Sequence, residues 1–180
     1  MKLNIILIIL TLYIFSNKTL AQKEVCSNKI LDHFYLGSNF GISINSTYSY
    51  IHISPRIGYM FNNNFSIGTG LTYIFLRNKY FATNQNVLGG NIFARHNILK
   101  NFYAQTEFEL VNVKLYTVIP NTIEYSTRRN WVPALFLGAG VYESVANRLG
   151  ISIGGYYNIL YNSKKSPYNS AFIFRAGFSF

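Results

Sequence analysis

The sequence predicts an all-β fold, an eight-stranded antiparallel transmembrane up-and-down barrel, and three observations carry that expectation. Apolar and small polar residues alternate with period two in eight stretches of about ten residues, the pattern of half-buried strands. The connectors between those stretches are short and longer by turns. Only 12% of the 180 residues are charged, whereas soluble domains average about 25%. A hydrophobic share of 49% and an aromatic share of 17% leave little with which to build a water-facing surface. Length argues for one barrel domain, 34–180, behind an export segment.

The first element is that segment. Lys2 supplies a positive start, and Ile5 to Phe15 form an apolar run too short for a spanning helix, which needs about 20 residues. Thr19-Leu20-Ala21 places small residues where a signal peptide is cut, so 1–21 reads as a cleaved signal peptide. Residues 22–33 then form a short periplasmic lead. The lone Cys26 excludes an intrachain disulfide. Glu24 and Val25 before it are wrong for lipid attachment, which wants small residues there.

The strands follow in order. In the first, Phe34 to Ile44, the residues Phe34, Leu36, Phe40, Ile42 and Ile44 share one face and Tyr35, Gly37, Asn39, Gly41 and Ser43 the other. The second, Tyr50 to Met60, sets Ile51, Ile53, Pro55, Ile57 and Tyr59 against His52, Ser54, Arg56 and Gly58. The third runs from Phe65 to Phe75 with Ser66, Gly68, Gly70 and Thr72 on its polar face. The fourth, Val87 to Arg95, is weaker, with Leu88, Ile92 and Ala94 opposite Gly89, Asn91, Phe93 and Arg95. The fifth alternates from Phe102 to Leu110, placing Tyr103, Gln105, Glu107 and Glu109 together. Trp131 to Tyr142 and Leu149 to Leu160 are the sixth and seventh. The eighth closes the chain with Phe172, Phe174, Ala176, Phe178 and Phe180 on one face.

Short connectors at Phe61–Asn64, His96–Asn101 and Glu143–Arg148 belong at the periplasmic end of such a barrel, and the longer ones outside. The polar face decides which side meets lipid. It is rich in Gly, Ser, Asn and Tyr and poor in Lys and Glu, which suits a crowded lumen better than bulk water. The opposite face carries no charge, as hydrocarbon requires. A soluble barrel turned inside out is the rejected alternative.

The signal peptide ending at Ala21, the Gly-polar/apolar alternation, and the final strand Ala171–Phe180 with its terminal aromatic make the chain resemble the small outer-membrane β-barrels of Gram-negative bacteria, the OmpA-like and opacity-protein-like families with a porin-like barrel domain. The resemblance implies a cell outer membrane location. It also implies that Phe180, with Phe178, Phe174 and Phe172, is the signal read by the barrel-assembly machinery during insertion. It specifies architecture and no activity.

Candidate site residues fall into two groups. Arg56, Arg95, Glu107, Glu109 and Arg175 lie on the lumen face, where enclosed charges need partners. Arg95 and the two glutamates sit on consecutive strands and are expected to be direct neighbours. Basic side chains concentrate in the long connectors: Arg77, Lys79, Lys114, Arg128, Arg129, Lys164 and Lys165 against Glu124. Lipopolysaccharide phosphates are the anions such loops would meet. Tyr48, Tyr50, Tyr80, Trp131, Tyr161 and Tyr168 are expected to form an outer aromatic girdle, and Phe61, Phe65 and Phe102 an inner one.

Other chemistry is weakly signalled. His52-Ile53-Ser54 resembles the His-x-Ser pair of barrel lipid A hydrolases, but Pro55 replaces the usual Asn and no acidic residue lies between Asp32 and Glu107. His52 also belongs to the lumen face. His33 and His96 have no metal-ligand spacing around them, and no phosphate-binding or dinucleotide fingerprint is present. No cofactor and no metal is expected. The formal charge of +10 raises nucleic acid as a partner, but export and the lipid-facing aromatics exclude it. The expectation is a monomeric, non-enzymatic outer-membrane barrel in contact with lipid and lipopolysaccharide through its outer loops. The alternatives are a narrow channel for ions or small solutes and a lipid A-modifying hydrolase.

Overall fold

Period-two alternation becomes eight consecutive strands: β1 (Phe34–Ile44), β2 (Tyr48–Met60), β3 (Phe65–Asn78), β4 (Thr83–Leu99), β5 (Phe102–Val118), β6 (Tyr125–Ser144), β7 (Gly150–Asn158) and β8 (Phe172–Ser179). Each pairs antiparallel with its successor, and β1 pairs with β8 to close the barrel. The computed structural model describes residues 33–44, 48–78, 83–118, 125–145, 149–163 and 165–180. The signal peptide, its cleavage site, Cys26, Lys79, Tyr80, Glu124 and Lys164 lie outside the described residues.

Alternation sorts the two faces as the sequence suggested. Along β7 buried and exposed positions alternate from Gly150 to Asn158. Facing inward, Tyr103, Phe136, Tyr156, Ile74, Val87 and Val111 are fully buried and fill the interior. Facing outward, Ile42, Leu71 and Phe174 are each 70% exposed, and comparable aliphatic and aromatic side chains ring every strand. Closure of β8 onto β1 gives every strand a partner on both sides, which is how a β protein can present so apolar an exterior with little edge left to pair.

The ladder tolerates two local interruptions. Pro55 has no N–H to donate, and the β2–β3 pairing skips from Ile53–Tyr73 to Arg56–Gly70 without losing register. A bulge between Asn97 and Leu99 bends β4 just before its turn into β5. Side chains complete the turns. The Asn62 carboxamide oxygen accepts from the Asn64 and Phe65 amides at 2.9 and 2.8 Å, holding the β2–β3 connection in an Asx turn.

Four strands run well past the expected boundaries. Sequence alternation stops at Phe75, Val87, Leu110 and Trp131, so 76–86 and 112–130 read as loops. The structure continues β3 to Asn78, starts β4 at Thr83, carries β5 to Val118 and begins β6 at Tyr125. Pairing persists through polar residues such as Asn84, Asn86 and Asn112 because the ladder needs backbone groups only. What ends at Phe75 and Trp131 is the apolar outer face. β7 and β8 gain no such extension, so the wall is tall over β3–β6 and low over β7 and β8.

Candidate functional site

Within the barrel, the predicted lumen charges converge on one buried cluster. Glu107, on β5, accepts from Arg175 Nη1 of β8 at 2.6 Å, from Arg56 Nη2 of β2 at 3.3 Å and from Gln105 Nε2 at 2.9 Å. Glu109, one inward position further along β5, accepts from Thr72 Oγ1 at 3.0 Å and from the Tyr168 hydroxyl. Its carboxylate also lies 3.7 Å from Arg175 Nη2 and 3.9 Å from His52 Nε2. Arg175 Nη2 donates to the Tyr168 oxygen at 3.3 Å. Two carboxylates against two guanidiniums leave the cluster neutral, and neither glutamate is exposed at all.

Aromatic faces wrap the cations. The Arg56 guanidinium lies 4.6 Å from the Phe93 ring centre, and that of Arg175 lies 4.5 Å from the Phe136 ring. Such contacts contribute about 2 kcal/mol or more when desolvated. Small residues make the room: Tyr103 Oη, hydrogen-bonded to Tyr156 Oη at 3.0 Å, packs over Gly140 and Gly154, where an added Cβ would come within 2.7 and 2.5 Å of it. The glycines therefore relieve lumen crowding, as their place inside strands suggested.

Arg95 is not part of this cluster. Its direct cross-strand partner is Gln105, whose Oε1 it meets at 2.9 Å, and its guanidinium stacks 4.2 Å from the Tyr103 ring. The expected Arg95–glutamate neighbours are thus replaced by Arg56 and Arg175 from across the lumen. Strand tilt is the reason. A ladder row passing through Arg56, Gly70 and Asn91 arrives at Glu109, and one leaving Tyr103 through Gly140 and Gly154 arrives at Arg175. Rows climb around the barrel, so Glu107, level with neither row, is the carboxylate at the height of both arginines.

His52 and Ser54 are both wholly buried on the lumen side. The Ser54 hydroxyl accepts from Asn91 Nδ2 at 2.9 Å, and neither ring nitrogen of His52 has a hydrogen-bond partner among the described residues. The acidic residue missing near them in sequence is Glu109, brought close by β5. Inward parity placed Glu109 on the lumen face from the sequence, but its height, and so its approach to His52, could not be read there.

Two tyrosines assigned to the outer girdle point inward instead. Tyr50 shares the parity of His52 and stacks beside it at 6.2 Å, and it is only 6% exposed. Tyr168 sits in the connection 159–171 between β7 and β8, outside the strands, and drops its ring into the lumen. Burial and the neighbouring Glu109 hold its phenol well above the ordinary value of 10.0. Tyr161 is half-buried against the same core, whereas Trp131 is exposed as expected. At the turn end Phe61, Phe65 and Phe102 are exposed, and Tyr59 and Phe61 meet edge to face at 5.1 Å.

At the loop end, the basic residues lie largely on strand extensions. Arg77 (β3), Lys114 (β5) and Arg129 (β6) share the outward parity of Leu71, Leu110 and Trp131, and Lys114 and Arg129 are direct cross-strand partners. Arg129 Nη1 donates to Asn112 Oδ1 at 3.2 Å. Arg128 has the opposite parity, and Lys165 is exposed in the connection after β7. Below this level the outward strand positions carry no charge until His96 and Glu143 at the turn end. Among the described residues, no group of three or more His, Cys, Asp or Glu is placed to hold a metal ion.

No family model matches the chain, and no curated protein sequence matches it. Among solved structures the chain is similar to the N-terminal β-barrel domain of Pseudomonas aeruginosa OprF, with 14% sequence identity and a TM-score of 0.45, over 82% of this chain and 96% of that one.

Proposed function

We propose that the chain is a non-enzymatic barrel of a Gram-negative outer membrane, sealed along its axis, whose outward basic rim contacts lipopolysaccharide. The observation that carries this reading is the sequence of zones on the outer wall. From Phe65 to Phe75 the strand spans about 33 Å, or about 25 Å once tilted by about 40°, which is the height of an outer-membrane apolar band. At its upper end stand the amphipathic Tyr73 and Trp131, followed by Asn86, Asn112, Arg77, Lys114 and Arg129. Lys114 directly opposite Arg129 concentrates positive charge on this rim, and lipopolysaccharide phosphates are the anions such a rim would attract.

The test is retention of the chain, folded in phosphatidylcholine vesicles, on immobilised lipopolysaccharide across a salt series. Retention is expected to fall with rising salt, since screening shortens to about 3 Å at 1 M ionic strength, and to fall further in Arg77→Gln/Arg129→Gln. Salt-insensitive retention that the double variant leaves unchanged would end the proposal.

The lumen cluster supports a structural plug over a channel. An eight-stranded barrel leaves an interior just wide enough for side chains, and Tyr103, Phe136 and Tyr156 occupy it here. Complete burial of His52 and Ser54 supports the non-enzymatic reading, because a hydrolase nucleophile must reach its acyl substrate. Phe180 exchanges both backbone hydrogen bonds with Leu36, at 2.9 and 2.8 Å, so the proposed assembly signal is also the residue that locks β8 to β1.

A further inference from the structure

Over its upper half β6 is paired on one side only. Its ladder with β7 runs from Ser144–Gly150 to Phe136–Asn158 and ends where the Ile159 amide donates to the Leu135 carbonyl at 2.8 Å. There the Asn158 carboxamide oxygen accepts from the Leu135 and Leu160 amides at 3.2 and 3.1 Å, which turns the chain away from β6. On its other side β6 stays paired with β5 all the way to Val118–Tyr125. The Leu135 amide and carbonyl both point toward β7, so every second residue before it points the same way. Trp131, Arg129, Thr127 and Tyr125 therefore each direct an amide and a carbonyl to a side where, among the described residues, no strand is paired. From Tyr125 to Pro133 this edge is about 27 Å long. Pro133, at its foot, has no amide to leave unpaired.

The opposite flank of the β5–β6 ribbon is treated differently. β5 parts from β4 above Leu88–Asn112, and there Gln85 Nε2 reaches across to donate to the Lys114 carbonyl at 3.0 Å. Among the described residues no side chain is bonded to the β6 edge in that way. A regular row of alternating backbone donors and acceptors is matched by another extended strand. Side chains decide which strand. Arg128 and Arg129 are both exposed and project from opposite faces of the sheet, and Lys165 is exposed on the connection that leaves β7 beside this edge. The described side-chain carboxylates lie elsewhere, Glu107 and Glu109 in the lumen and Glu143 at the turn end. A second copy of β6 would set arginine against arginine, and like charges opposed across paired strands are destabilising. Charge on an edge keeps copies of one chain apart, and the same charge selects a partner of opposite sign. We infer that the upper edge of β6 is a docking site for an extended acidic segment of another protein. The segment adds as a strand beside residues 127–133 and places carboxylates against Arg128 and Arg129.

This site uses the backbone of β6, whereas lipopolysaccharide contact uses charge on the outer rim, and the test separates the two. The chain folded in phosphatidylcholine vesicles is titrated with a fluorescein-labelled peptide of Thr and Val with Glu-Glu at its centre. The peptide is about eight residues long to match the edge, and anisotropy is read at about 0.15 M salt. Saturable binding is expected, with hydrogen exchange slowed at the Trp131 and Arg129 amides and unchanged at Asn130 and Val132, which face β5. A peptide with Lys-Lys at its centre is expected not to bind. Two further Glu-Glu peptides carry methyl groups on alternate backbone nitrogens, one on each of the two sets. The one methylated on the set facing β6 is expected to bind about tenfold more weakly, and the other as before. Thr127→Pro, which removes an edge-facing amide and keeps the β5 pairing, is expected to weaken binding, as is Arg128→Gln/Arg129→Gln. Arg77→Gln, on β3, is expected to leave it unchanged. Equal binding by both methylated peptides, or a loss in Arg77→Gln as large as in Arg128→Gln/Arg129→Gln, would reduce the effect to rim charge and overturn the docking site. A cross-linked dimer formed without peptide and lost in Thr127→Pro would overturn the acidic segment as occupant in favour of a second copy. Failure of the peptide titration with salt-sensitive lipopolysaccharide retention intact would overturn this site and leave the rim reading standing.

Discussion

Glu107→Ala tests whether the lumen cluster holds the barrel together. Glu107 accepts hydrogen bonds from two arginines, at 2.6 and 3.3 Å, and from Gln105 at 2.9 Å, with no solvent exposure. Hydrogen bonds to charged groups are each worth about 1.5–3 kcal/mol, so gross loss is several kcal/mol. Part is recovered, because Arg175 keeps Glu109 at 3.7 Å and Arg56 keeps the Phe93 ring. Breaking a buried pair by removing one partner costs about 3–5 kcal/mol, and that range is expected here. The assay is a urea titration of the chain folded in vesicles, following the folded fraction by circular dichroism. Glu107→Met/Arg175→Met removes one charge of each sign and replaces them with apolar volume. It is therefore expected to lose less than Glu107→Ala alone, since apolar replacements of whole buried pairs are often close to neutral. A Glu107→Ala loss within about 0.5 kcal/mol, the range of ordinary surface changes, would refute the reasoning. So would a double variant as damaged as the two single losses added together.

Two other substitutions probe the same interior from different sides. Tyr168→Phe leaves Glu109 without one donor and is expected to cost about 1–3 kcal/mol in the same titration. It also carries a pH signature. The folded phenol is held well above 10.0, so above that pH the native state retains a proton that the unfolded chain releases. Stability should therefore fall as pH rises past 10.0, and Tyr168→Phe should fall less steeply; parallel slopes would remove Tyr168 from the account. Gly154→Ala brings a methyl group to 2.5 Å from the Tyr103 hydroxyl, and overpacking of this sort costs about 1–3 kcal/mol. In a Tyr103→Phe background the closest contact is gone and the Ala139 carbonyl at 3.0 Å remains, so the alanine should be tolerated better; an unchanged cost would place the strain elsewhere.

Strand identity and the facing of each residue were legible because both depend on parity. Phe34 to Ile42 and Phe65 to Phe75 announce themselves by side chains two apart, and their burial largely follows. Parity also held the answer for Tyr50, which alternates with the outward-facing Ile51 and Ile53. It was misplaced because tyrosine near a strand end resembles a girdle residue. Partners within the lumen were not legible. They depend on strand tilt, which sets height across the barrel, and no single strand encodes it. Hence Arg95 was matched with the glutamates by sequence proximity, while Arg56 and Arg175 meet them in space. The extensions of β5 and β6 escaped for another reason. Above the apolar band the outer face turns polar, and the hydrophobic signal stops before the hydrogen-bonded ladder does.

The unequal wall gives the two ends of the low side different tasks. β3–β6 stand tall, and their extensions carry Arg77, Lys114 and Arg129 outward on neighbouring strands. β7 and β8 stop early, and the connection between them folds inward instead, sending Tyr168 to donate to Glu109 and accept from Arg175. Tyr168 thus ties the low rim to the same cluster that Arg56 and Arg175 brace from β2 and β8. A barrel shortened on one side loses ladder hydrogen bonds there, and under the membrane reading proposed above those losses are costly. A neutral, fully buried cluster spanning β2, β3, β5 and β8 compensates by fixing strands across the lumen that the seam alone does not join over its full height. On this reasoning the low wall and the charged lumen are one arrangement: the opening above Phe40–Ala176 is tolerable because Arg175, on β8 beside it, is held from inside by two carboxylates of β5.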